Sequence, residues 1–223
     1  MPPQMYQFFN PLRFIPEIIY TLIIFIICFL IYFKTKEAYN LTKHKGIGYF
    51  RDAFLLFGLA YVMRFIFEMI NFSTKLFHIF LPRYFLFPLS LLILSYLSTM
   101  GILYLVFSSV WKNIKRKNFV LYGHLTAMAI SIAIFITRSH QTLILLQIAL
   151  LIFAIVLNFI KTKKTKKVSQ AIILHLLIFI FWILNLWMIS PRCFLPRESM
   201  ILIQTISLIV FGVIYFKVLK WLK

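Results

Sequence analysis

Seven stretches of this chain are apolar almost without interruption: 14–33, 52–71, 84–110, 119–137, 142–160, 169–190 and 199–216. A helix needs about 17 to 25 residues to cross the hydrocarbon of a bilayer, and all seven stretches reach that length. Short basic or Pro-containing segments separate them, none with room for a soluble domain. The pattern predicts an all-α fold, a polytopic integral membrane bundle of seven transmembrane helices forming one domain over residues 1–223. The third stretch is longer than the hydrocarbon is thick, so it should tilt or kink, with Pro88 as the place. The first contains Glu17, ends on Lys34 and Lys36, and lacks the basic leader and small-residue cleavage site of a secretory signal. It reads as an uncleaved helix with a stop-transfer end.

Lys and Arg in the connections give the bundle a direction. The segments after the first, third, fifth and seventh stretches hold 17 of them; the N-terminal segment and those after the second, fourth and sixth hold 6. Every segment of the rich set outnumbers every segment of the poor one. The expected arrangement is therefore an N-terminus outside, a C-terminus in the cytoplasm, and a multi-pass protein of the cell membrane. Trp111 and Trp221 then fall at cytoplasmic ends of spans and Trp187 near an outer end, where interfacial anchors belong.

Composition removes other classes. With 62% hydrophobic and 13% charged residues and a mean hydropathy of +0.94, the chain has too much apolar surface for a water-soluble core. A formal charge of +19 raises nucleic-acid binding as a question. The basic residues sit in clusters between apolar runs, however, so their expected partners are anionic lipid headgroups at the cytoplasmic loops, and no nucleic-acid partner is expected. Cys28 lies deep along the first helix and Cys193 in an outer loop, which argues against a disulfide; neither has metal-ligand spacing, and no cofactor or metal site is expected. A faint repeat joins Phe33-Lys34-Thr35-Lys36 to Ile160-Lys161-Thr162-Lys163, so spans 1–3 and 5–7 read as parallel repeats around the fourth, beside the alternative of chance similarity in a chain rich in Ile, Leu, Phe and Lys.

A charge inside a span costs at least about 2.5 to 3.5 kcal/mol and marks a place to look for function. In the second stretch, steps of three and four put Phe54, Gly58, Tyr61, Arg64 and Glu68 on one face, directed into the bundle. Arg64 and Glu68 are spaced to pair directly. Glu17, Arg83, Arg138 and His140 lie at similar height, so opposite charges converge at one level. Three readings stand: an ion pair that locks helices together, a polar pocket open to the outside that binds a small ligand or ion, or side chains that snorkel to the outer surface. The sixth stretch carries His175, Trp182 and Asn185 on roughly one face, as a cavity lining, a proton relay, or side chains satisfied by neighbouring helices. Gly123, Ala127 and Ser131 in the fourth form a small-residue seam, and Gln147 and Gln204 are single polar contacts. The candidate ligand-binding residues are Arg64, Glu68, Tyr61, Glu17, Arg83, Trp182 and Asn185.

Known seven-helix chemistries fit poorly. A retinal protein needs a lysine buried in its last helix, and Lys217 is at the end of that span. A metal-dependent hydrolase would need more ligands than His124 and His175, and only Glu17, Asp52 and Glu68 supply carboxylates near the spans, so no catalytic residues are assigned. The topology is that of the SWEET sugar carriers, yet their Pro-Gln signature occurs here only as Pro3-Gln4, in the tail.

The stretch from Tyr49 to Glu68, with an arginine before the helix, an aromatic-rich middle and Glu68 at its outer end, resembles the second helix of the seven-helix sensory region at the N-terminus of some prokaryotic histidine kinases. Elsewhere the resemblance rests on topology. It implies a sensory module; since the sequence ends at Lys223 with no kinase output domain, such a module would act through a separate cytoplasmic signalling partner. The expectation is a receptor- or sensor-like bundle that binds a small ligand in an outward-facing pocket around Arg64 and Glu68. The alternative is a small-solute carrier of three-plus-one-plus-three type.

Overall fold

A helix pairs its backbone amides within one segment, so a chain of long apolar runs has little else to become. In the computed structural model, which describes residues 11–77, 83–111, 118–163, 170–189 and 197–222, all seven apolar runs are α-helices and there is no strand among the described residues. In chain order they are α1 (Pro11–Thr42), α2 (Lys45–Leu76), α3 (Arg83–Val110), α4 (Phe119–Thr137), α5 (His140–Lys163), α6 (Gln170–Ile189) and α7 (Arg197–Leu222). Five of them, α1 to α4 and α7, are long and apolar enough to cross a membrane; in α5 and α6 the described apolar stretches are shorter, Gln141–Leu157 and Ile173–Asn185.

Several helices outrun their apolar segments. The basic stretch that follows the first apolar run is helical apart from Lys43 and His44, which form the entire α1–α2 connection. Lys43 has φ 51, a left-handed conformation that closes α1, with its amide on the Tyr39 carbonyl at 2.7 Å. Arg138 closes α4 in the same way at φ 50. Pro88 lies in the second turn of α3, and the helix runs through it. Its missing N–H costs one backbone bond, close to the helix start.

α3 is the hub: it packs on α2, α4 and α5, while α2 also packs on α1, and α7 packs on α1 and α6. Ser95, Thr99, Met100 and Ile102 of α3 are fully enclosed. Glycines let helices approach closely. A Cβ on Gly101 would come within 2.5 Å of the Phe57 ring, and one on Gly123 within 2.8 Å of Phe107. Gly123, Ala127 and Ser131, the seam expected on α4, are buried. The outward surface is strongly apolar, with Leu121, Leu125, Met128, Ile132 and Ile136 forming an exposed stripe on α4.

Two ends can be told apart. At one, the start of α1 meets α2 beyond its midpoint, the end of α6 and the start of α7. At the other, the α1–α2 connection meets the end of α3 through His44 and Trp111, whose rings lie 4.4 Å apart. The end of α7 joins there through Trp221 and Phe50, at 5.8 Å.

Candidate functional site

The α-helical period puts Tyr61, Arg64 and Glu68 on one side of α2 and Glu17, Tyr20 and Thr21 on the facing side of α1. Where the two faces meet, the Arg64 guanidinium joins both carboxylates, Nε to Glu68 Oε1 at 2.8 Å and Nη2 to Glu17 Oε1 at 3.1 Å. The Thr21 hydroxyl donates to the Glu17 carbonyl at 2.8 Å and lies 3.5 Å from Glu68 Oε2. Arg64 and Glu68 are mostly enclosed, whereas the Glu17 side chain is 39% exposed. One positive group faces two negative ones, so with all three ionised the site carries a formal charge of −1.

One helical turn away lies a second polar group. The Asn185 Oδ1 of α6 accepts from Tyr20 Oη of α1 at 2.7 Å and from Tyr61 Oη of α2 at 2.5 Å. Its Nδ2 donates to Ser207 Oγ of α7 at 3.1 Å and to the Phe181 carbonyl at 2.9 Å. Ser207 Oγ is also 2.8 Å from Tyr20 Oη. All four side chains are at most 4% exposed. Asn185 thus uses both donors and its carbonyl, and one side chain ties four helices together. Away from water no solvent competes for these bonds, and any member left unmatched would bear its full desolvation cost.

Trp182, one turn back along α6, belongs to a third group. Its Nε1 donates to Gln147 Oε1 of α5 at 3.0 Å, Gln147 Nε2 donates to Ser98 Oγ of α3, and Ser98 donates to the Ser95 carbonyl at 3.2 Å. The Trp182 ring lies 4.8 Å from Phe57 of α2, the ring that Gly101 admits. Trp182 and Asn185, one turn apart on α6, therefore join the α3–α5 side of the bundle to the α1–α2–α7 side.

His175 and His124 both face α3. His175 Nε2 lies 3.0 Å from Ser109 Oγ and 3.3 Å from the Leu105 carbonyl, while His124 Nδ1 lies 2.8 Å from Tyr96 Oη. They contact different α3 residues, and no set of three or more metal-ligating side chains converges among the described residues. Cys28 is fully enclosed as a free thiol.

Of the residues expected to form a pocket, Glu17, Arg64 and Glu68 meet directly. Tyr61 and Asn185 form the adjoining layer, and Trp182 the layer beyond. Arg83 opens α3 and His140 opens α5, but their side chains lie outside the described residues, as do those of Trp187 and Cys193. Arg138 is exposed at the end of α4. The structure adds Tyr20, Thr21 and Ser207 to these residues. The signal was present: Glu17, Tyr20 and Thr21 fall at helical spacing, and Ser207 is a hydroxyl within an apolar run.

Comparison with known proteins gives one full-length match. A protein of Archaeoglobus fulgidus, described as uncharacterized, is 31% identical to this chain, with 98% of each covered. No family model matches, and no solved structure matches.

Proposed function

The chain belongs to one family with the Archaeoglobus fulgidus protein along its whole length, and from that premise we propose that the family is a receptor- or sensor-like membrane bundle whose ligand is a small cation. In this reading all seven helices cross the cell membrane, with the start of α1 outside and the end of α7 in the cytoplasm. The 17 to 6 distribution of Lys and Arg supports that direction. The Glu17–Arg64–Glu68 site then opens outward.

One observation carries the ligand class: a single guanidinium is shared by two carboxylates, and the less enclosed of them, Glu17, is the one within reach of an incoming group. An alkylammonium of modest size offers the missing charge and hydrogen-bond donors. Taking up Glu17 would loosen its bond to Arg64 and leave Arg64 to Glu68. Tyr20, one turn from Glu17, would carry the shift of α1 to Asn185 and Ser207, hence to α6 and α7. A ligand that binds the two arrangements unequally moves the balance between them, and a partner at the cytoplasmic ends of α6 and α7 reads the result.

Native mass spectrometry of the purified protein, followed by thermal-shift titration with a panel of small amines and matched carboxylates, tests the proposal. Amines should raise the unfolding temperature and carboxylates should not, and Glu17→Gln should abolish the response while the protein stays folded. An R64A/E68A protein with undiminished amine response would remove the site. Robust counterflow of an amine in proteoliposomes would replace the sensor with a carrier.

A further inference from the structure

At the end of the bundle away from Arg64, the ends of α3 and α7 gather on the α1–α2 connection and the first turns of α2. His44 stands edge-on to Trp111 at the end of α3. Gly46 lies so close to that indole that a Cβ would come within 2.8 Å of it. Phe50 meets Trp221 at the end of α7. The contacts collect cations that are far apart in sequence: Lys34 and Lys36 of α1, Lys43 of the connection, Lys45 of α2, and Lys217 and Lys220 of α7, all exposed. The described acids at this end, Glu37 and Asp52, are already engaged, by Lys34 at 3.2 Å and by Arg51 at 2.6 Å. Among the described residues Lys36, Lys43, Lys45, Lys217 and Lys220 form no ion pair. Arg51 is further held over the Tyr39 ring, 4.9 Å from its centre.

We infer that this end of the bundle is a docking surface for anionic phospholipid headgroups, seated between the α1–α2 connection and the end of α7. Charge complementarity favours that occupant: five uncompensated lysines on converging helix ends face the level at which phosphates lie in a bilayer. Trp111 and Trp221 stand beside them with part-apolar rings suited to the interface. A soluble anion would satisfy the charge alone, whereas a phospholipid also covers the exposed apolar residues that border the lysines, Phe33 and Phe216 among them. The inference is independent of the amine site at the opposite end.

The test is native mass spectrometry of the full chain with phosphatidylglycerol and phosphatidylcholine at matched ionic strength. Wild type should retain phosphatidylglycerol preferentially. Lys43→Gln with Lys45→Gln should weaken that retention about 30-fold with no change in unfolding temperature. Arg138→Gln, at an exposed cation of the other end, should leave it unaltered. Equal retention of the two lipids, full retention by the double variant, equal loss in the Arg138 variant, or displacement of the lipid by inorganic phosphate would each overturn the inference.

Discussion

At the scale of single residues, the two polar layers differ in what they contribute. Arg64 is an enclosed cation whose partners are both anions, so its removal leaves Glu68 buried without a counter-charge. Breaking such a pair from one side costs about 3 to 5 kcal/mol. R64A should therefore lower stability strongly in a steric-trap or thermal measurement in detergent. Glu17→Gln, at a side chain 39% exposed, should cost under about 1 kcal/mol. If the two variants proved equally destabilising, Glu17 would be a structural partner and not the ligand-facing half of the site. Asn185 offers a contrast without charge. Asn185→Leu leaves the hydroxyls of Tyr20, Tyr61 and Ser207 short of a partner at once, whereas Tyr61→Phe frees only half of one acceptor's bonding. The asparagine change should be the costlier by about 1 to 3 kcal/mol.

Among whole elements, the close approach of α2 and α3 rests on Gly101. A methyl there meets the ring of Phe57, which cannot retreat freely because Trp182 lies against its other surroundings at 4.8 Å. Gly101→Ala should cost about 1 to 3 kcal/mol and weaken the Trp182–Gln147 bond. Gly212→Ala, with nothing within 4 Å of the added atom, should be neutral or slightly stabilising because alanine favours the helix. Fluorescence of Trp182 in a protein whose other tryptophans are replaced by Phe separates the two variants, since only the first should shift it. The elements themselves were legible in sequence because bilayer length and uninterrupted hydropathy are strong signals. The predicted 119–137 and α4 (Phe119–Thr137) share their bounds. Where bounds differ, as in α1, which runs on to Thr42, the reason is that hydropathy marks where the chain leaves hydrocarbon, not where its hydrogen bonding stops. The pairing of Arg64 with Glu68 was also legible, being local. Tyr20 with Asn185 and Ser207 was not, because those contacts span 165 and 187 positions of sequence, and only the packing of α1 against α6 and α7 creates them.

For the molecule as a whole, the proposed orientation controls everything else, since it decides whether the Glu17–Arg64–Glu68 site meets the outside or the cytoplasm. Cysteine labelling can read it directly, because Cys28 is fully enclosed and serves as a silent background once Cys193 is replaced by Ser. Thr42, the exposed last residue of α1, and Ser139, between α4 and α5, stand at opposite ends of the bundle. With a membrane-impermeant maleimide, Ser139→Cys should label in intact cells and Thr42→Cys only after permeabilisation. The reverse pattern would turn the site towards the cytoplasm and bring the lysine-rich end outside, against the cost of translocating most of the chain's positive charge. Labelling of both positions from one side would mean an even number of crossings among α2, α3 and α4, which lie between them. A reporter fused after Lys223 gives an independent reading: activity in the cytoplasm, combined with outside labelling at position 139, requires an odd number of crossings after that position. α5, α6 and α7 supply three and α7 alone supplies one, so with α7 crossing the two measurements together exclude a topology in which only one of α5 and α6, whose described apolar stretches are the shortest of the seven, crosses the membrane.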